Sequence, residues 1–106
     1  MSFDMDALLK QAQEMQAQME QLQADAAKET ATASSGGGMV TVVATAGGEI
    51  TELTIDPKAI DPSDPELLAD MVMAATNEAL RAAQAKVEAK MKSMLPPDLG
   101  GLLPGL

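Results

Sequence analysis

Arg81, Lys86, Lys90 and Lys92 fall within residues 81–92 against Glu88 alone, a local net charge of +3 in a chain whose formal net charge is −9. Cationic side chains gathered this way suit phosphate oxygens, since neutralising a nucleic-acid backbone requires positive charge. They equally suit a solvated helix face, where cations near a C-terminus complement the helix dipole. On the residues alone both readings stand. Other chemistry is scarce. With no Cys there is no thiol nucleophile, disulfide or thiolate metal site, and with no His the usual general base and commonest metal ligand are missing. Asp56, Asp61, Asp64, Glu66 and Asp70 gather acidic groups but lack the alternate-residue ligands and central Gly of a calcium loop. They read as turn and capping residues. Gly36-Gly37-Gly38 is not a phosphate-cradling loop, because it follows a helix and opens a strand rather than the reverse. A non-enzymatic chain with no cofactor, metal or small-molecule substrate is expected.

Composition bounds the class further. The chain has 106 residues, 46% hydrophobic, yet only 1% aromatic. Nineteen of its apolar residues are Ala and nine are Met. A core built from these would be thin in so small a domain, which points to an obligate oligomer. No apolar run approaches the roughly 20 residues that span a bilayer. The acidic start, Met1-Ser2-Phe3-Asp4-Met5-Asp6, lacks the basic and apolar regions of a signal peptide. A soluble cytoplasmic protein with no membrane partner is expected.

The elements that must position the basic segment follow from periodicity. Met5, Leu8, Ala12, Met15, Met19, Leu22 and Ala26 are spaced alternately by three and four residues, a heptad stripe within a helix over 4–29. Ser2 or Asp4 can cap it. The stripe is too long and narrow for a small globule and wants a partner helix, such as its own copy. Residues 30–38 read as a Gly/Ser linker. Residues 39–55 read as antiparallel strands joined at Gly47-Gly48 by a type I′ turn, with a bulge near Thr51-Glu52, or a break into two short strands, restoring one apolar face. Ser63 and Glu66 have capping-box spacing, with Pro65 in the first turn. A second helix then runs over 64–94, and 95–106 reads as a flexible Pro/Gly/Leu tail. The whole of 1–106 reads as a single α+β domain: long helix, β-hairpin or short three-stranded antiparallel sheet, long helix.

Several stretches together resemble one family. They are Leu8-Leu9-Lys10-Gln11-Ala12-Gln13-Glu14-Met15-Gln16, Gly37-Gly38-Met39-Val40, Ile55-Asp56-Pro57 and Glu66-Leu67-Leu68-Ala69-Asp70-Met71-Val72. Ala74, Ala75, Asn77, Ala79-Leu80-Arg81 and Lys90-Met91 follow in order. The chain resembles the YbaB/EbfC family of bacterial nucleoid-associated proteins over nearly its whole length. The resemblance implies a tweezer-like homodimer with sheets packed at its centre and helices projecting as arms. It also implies binding to double-stranded DNA, a place in the nucleoid, and a part in nucleoid organisation and gene regulation. Phosphate contacts are expected from Lys10, Arg81, Lys86, Lys90 and Lys92. The dimer interface is expected to use Met5, Leu8, Met15, Met19, Leu22, Val40, Val42 and Leu53. Relatives often carry several Lys in the first helix and one after Val40. Here Lys10 and Lys28 stand among Gln and Ala, and Thr41 follows Val40, so phosphate attraction is weakened. The competing expectation is an adaptor whose helical arms grip another protein.

Overall fold

Asp4 caps the first helix: its carboxylate accepts a hydrogen bond from the Ala7 backbone N–H at 3.2 Å. That helix, α1, spans Met5–Ala27 in the computed structural model, which describes residues 4–94. Strands β1 (Thr30–Ser35), β2 (Val40–Thr45) and β3 (Ile50–Ile55) follow, then α2 (Pro65–Ser93), with single 3-10 turns at Gly36–Gly38 and Pro57–Ala59. The strands form one antiparallel sheet in the order β1-β2-β3. The α+β class holds, with the sheet in its three-stranded form. The alternative cap Ser2 and the tail 95–106 lie outside the described residues.

Residues 30–38 are not a linker. Thr30, Thr32 and Ser34 alternate with Ala31, Ala33 and Ser35, a period-2 pattern that turns one set of residues inward. β1 pairs with β2 from Thr30↔Thr45 to Ser35↔Val40. The three glycines after it hold φ values of 62°, 68° and 93°, so each occupies the left-handed region that L side chains avoid. Their glycine content serves a tight reversal between paired strands. The second reversal also differs from expectation. Gly48 N–H donates to the Thr45 carbonyl at 3.0 Å, and of Gly47 and Gly48 only Gly48 has positive φ, so the turn is not type I′. The bulge is present where expected: Val43 pairs with Glu52 and Ala44 with Ile50, leaving Thr51 as the extra residue.

Asp64, rather than Ser63, caps α2 by accepting from the Leu67 N–H at 3.2 Å, and Pro65 follows at the first helical position. Ser63 instead donates its backbone N–H and hydroxyl to Asp61, at 2.9 and 2.7 Å. Those bonds hold the Asp61 carboxyl below its ordinary pKa.

The core is the contact of α2 with β1 and β2. Ala75 and Ala79 meet Val40, Val42 and Ala44, all of them fully buried, while Ala33, Ile50, Ile55, Leu68, Met71, Val72 and Leu80 pack around them. Val40 and Val42 thus spend their whole surface inside their own chain and have none to offer a second one, which removes them from the expected interface. Leu53 stays 44% exposed. α1 buries no residue, and the molecule measures 80 × 30 × 16 Å.

Glycine replacement distinguishes a strained turn from a linker. In a mobile linker, Gly37→Ala would be neutral or mildly stabilising through the unfolded chain. At φ 68° it should cost about 1–2 kcal/mol in urea unfolding. Gly36→Ala should cost more, because its Cβ would also collide with the Met71 sulfur.

Candidate nucleic-acid interface

Four cations within one helical stretch do not make one surface. A helix advances about 100° per residue, which sets Arg81 and Lys92 near one another on the outer side of α2. Lys86 and Lys90 fall on the opposite side, continuing the face that carries the buried Ala75, Ala79 and Ala83 beyond the sheet. The structure therefore divides the basic segment in two.

The inner pair is engaged within the chain. Lys90 Nζ donates to Glu29 Oε2 at 2.6 Å, and Lys86 Nζ lies 3.6 Å from Glu29 Oε1. Lys86 also donates to the Thr30 carbonyl at 2.9 Å. Glu29 occupies the junction of α1 and β1, where its backbone N–H donates to the Ala26 carbonyl at 3.1 Å and its carbonyl accepts from Ala46 N–H at 2.8 Å. The hydrogen bond from Lys90 is the main reason the Glu29 carboxyl is held below its ordinary pKa of 4.5, with the charge of Lys86 adding to it. Sequence reading passed over Glu29, since its partners lie 57 and 61 residues away and no local spacing announces them.

On the outer side, Arg81 donates to Glu78 at 3.0 Å, an i,i+3 pair on the exposed face. Lys92 and Lys10 form no ion pair among the described residues. Lys10 lies 17 residues before the end of α1, roughly 25 Å along the helix from the Glu29 junction, so it does not share a surface with Lys86 and Lys90. Among the described residues no three acidic groups converge to hold a metal ion. No helix of the described residues is long and apolar enough to cross a membrane.

Beside the inner lysines runs an apolar groove of about 540 Å³ between the C-terminal ends of the two helices. Met19, Leu22 and Ala26 of α1 line one side, and Val87, Met91 and Met94 the other. The second half of the α1 heptad stripe thus faces α2 across open space. Met15 and Met19 remain 61% and 59% exposed, and Met5, Leu8 and Leu22 are exposed with them.

The Glu29 pair has a definite pH signature. Because the folded pKa is lowered, its contribution is present above the ordinary carboxylate value and is lost as the pH falls through the lowered one. Glu29→Gln should therefore unfold at lower temperature than the parent at pH 7. The gap should narrow as thermal scans are taken down through the carboxylate range. A gap that is the same at every pH would show that charge is not what the pair contributes.

The comparisons agree with this architecture. The chain is 50% identical over 99 residues to a nucleoid-associated protein of Acetivibrio thermocellus, covering 93% of this chain and 86% of the relative. It is 46% identical over 103 residues to one of Rhodococcus erythropolis, covering 97% and 91%. A crystal structure of an uncharacterized protein, HP0035, from Helicobacter pylori superposes with a TM-score of 0.63 at 27% identity, covering 90% of this chain and all of that one. Residues 1–99 match the model of the YbaB/EbfC DNA-binding family, to which this chain belongs.

Proposed function

We propose that this protein binds double-stranded DNA as a homodimer in the bacterial nucleoid, through backbone phosphates and without catalysis, and thereby contributes to nucleoid organisation and gene regulation. The family match over residues 1–99 carries the DNA part of that reading, and the relatives named nucleoid-associated proteins support its location. Arg81 and Lys92 on the outer side of α2, Lys86 and Lys90 on the inner side, and Lys10 on α1 are the phosphate contacts. An aromatic content of 1% leaves no platform for stacking bases, so shape and charge are what the protein reads.

The exposed α1 stripe supports the dimer. Met5, Leu8, Met15, Met19 and Leu22 repeat at heptad spacing and stay exposed among the described residues. A second α1 would bury them, and Leu53 adds apolar surface on β3. Two protomers also bring two basic segments to one duplex, which raises affinity beyond what one supplies.

Two experiments test the reading. Charge reversal at Lys86, Lys90 and Lys92 together should weaken binding to a DNA duplex in anisotropy titrations. It should also flatten the salt dependence by up to about 0.9 in log–log slope for each phosphate that is no longer neutralised. Unchanged affinity would remove these residues from the interface. Light scattering should give the parent a mass near twice 11.0 kDa. Leu8→Asp with Met15→Asp should bring it to the monomer value, since each buried side chain of this size contributes about 1.5–3 kcal/mol. The Met-lined groove favours a second reading, an adaptor gripping another protein. A parent protein that fails to bind duplexes at low salt, yet retains a defined protein partner after nuclease treatment, would favour that reading.

A further inference from the structure

Resting on the DNA-binding reading, we propose that Glu29 is a built-in competitor for the phosphate backbone, setting DNA affinity by holding Lys86 and Lys90 until phosphate oxygens replace its own. Its two carboxylate oxygens face the two ammonium groups, Oε2 at 2.6 Å from Lys90 and Oε1 at 3.6 Å from Lys86. Two oxygens of one phosphate could present the same acceptors.

The mobility of the partners is unequal. Glu29 is anchored through both backbone polar groups, to Ala26 and Ala46, and its side chain is only 23% exposed. The lysine side chains are 50% and 62% exposed and end flexible stems. The ammonium groups are therefore the parts that can swing away while the carboxylate stays. Exposed ion pairs are weak, so exchange onto a polyanion is accessible. Lys90 donates to Glu29, whereas Lys86 donates to the Thr30 carbonyl and lies farther from the carboxylate, so the exchange of Lys90 is the one Glu29 controls most directly.

Exchange has a cost that the unpaired lysines of a simple basic patch would not carry. Once its lysines leave, Glu29 stands as an uncompensated negative charge beside the duplex. It either repels the phosphates or takes up a solution cation. Cation uptake offsets part of the counterion release that drives association, so the parent's salt dependence is shallower than its phosphate contacts alone would give.

The experiment compares the parent with Glu29→Gln and Glu66→Gln, the latter making the same change in net charge at the far end of α2, by anisotropy titration on a duplex of defined length over a salt series. Glu29→Gln should bind about two- to tenfold tighter, the effect of no longer breaking an exposed pair in each protomer. Its log–log salt slope should be steeper than the parent's, because no carboxylate is left to take up a cation on exchange. Adding Lys90→Gln should abolish the gain. Circular dichroism confirms the fold. Glu29→Asp, which keeps the charge but withdraws the carboxylate, should shift towards Glu29→Gln. Parent binding left unchanged by Glu29→Gln, or raised no more than by Glu66→Gln, overturns the role of Glu29 while the DNA-binding reading stands. No binding by parent or Glu29→Gln overturns both. Binding by Glu29→Gln alone supports both.

Discussion

The approach of α2 to β1 and β2 through a fully buried centre of residues no larger than valine governs the rest of the molecule. Ala75 and Ala79 face Val40, Val42 and Ala44 with no residual exposure, and Ala83 is buried along the same helix face. Small side chains let the backbones lie close and pack densely, but they remove little apolar area from water. A core of this kind fixes one helix on two strands and cannot also hold a second long helix. α1 is accordingly left without a buried residue, although its apolar stripe is as regular as any in the chain. The thin core and the uncovered stripe are two sides of one constraint. A helix face centred on alanines and flanked by Leu68, Met71, Val72 and Leu80 is used up against the sheet, and the α1 stripe stays exposed among the described residues.

How much of this was legible in the residues varies by element. Both helices were, to within a residue or two, because heptad spacing, Asp4, Pro65 and the Asp-rich turn are local signals. The irregularity near Thr51 was legible from phase, since Ile50 falls out of step with Leu53 and Ile55, but phase does not separate a bulge from a strand break. β1 was not. Its inward residues are Ala31, Ala33 and Ser35, too small to announce a buried face, and the glycines that follow resemble a spacer until their φ values are known. The role of Val40 and Val42 was hidden for a related reason. A β-branched strand residue can face its own helix or a second chain, and only the position of α2 separates the two.

The basic segment shows the same limit in electrostatic form. Linear density placed four cations together, but helical phase sends two outward and two along the core-facing side. What the inner two meet there, Glu29, depends on how α1 hands over to β1, a long-range fact with no local signature. Glu29 is thus at once a structural residue, tying the α1–β1 junction to the C-terminal half of α2, and the nearest rival for any anion that approaches those lysines. Removing it would loosen one function while freeing the other, a conflict expected where a binding group is also a packing contact.

Net charge is the remaining difficulty for a DNA-binding reading, and shape answers much of it. Of the acidic groups, Asp56, Asp61, Asp64, Glu66 and Asp70 lie around the start of α2, while Lys86, Lys90 and Lys92 lie at its end. Along the helix, Asp70 and Glu66 are roughly 24–36 Å from Lys86 and Lys90, several times the ~8 Å over which exposed charges act at physiological salt. A duplex at the basic end is screened from them. Acids close to that end include Glu29 and Asp25 on the wall of the groove and Glu88 on α2. A formal charge of −9 would repel phosphate if spread over a sphere. Drawn out along 80 Å, it becomes an acidic end and a nearly balanced one. Whether the balanced end attracts a duplex then turns on how few of its lysines are already spoken for, and Glu29 holds two of them.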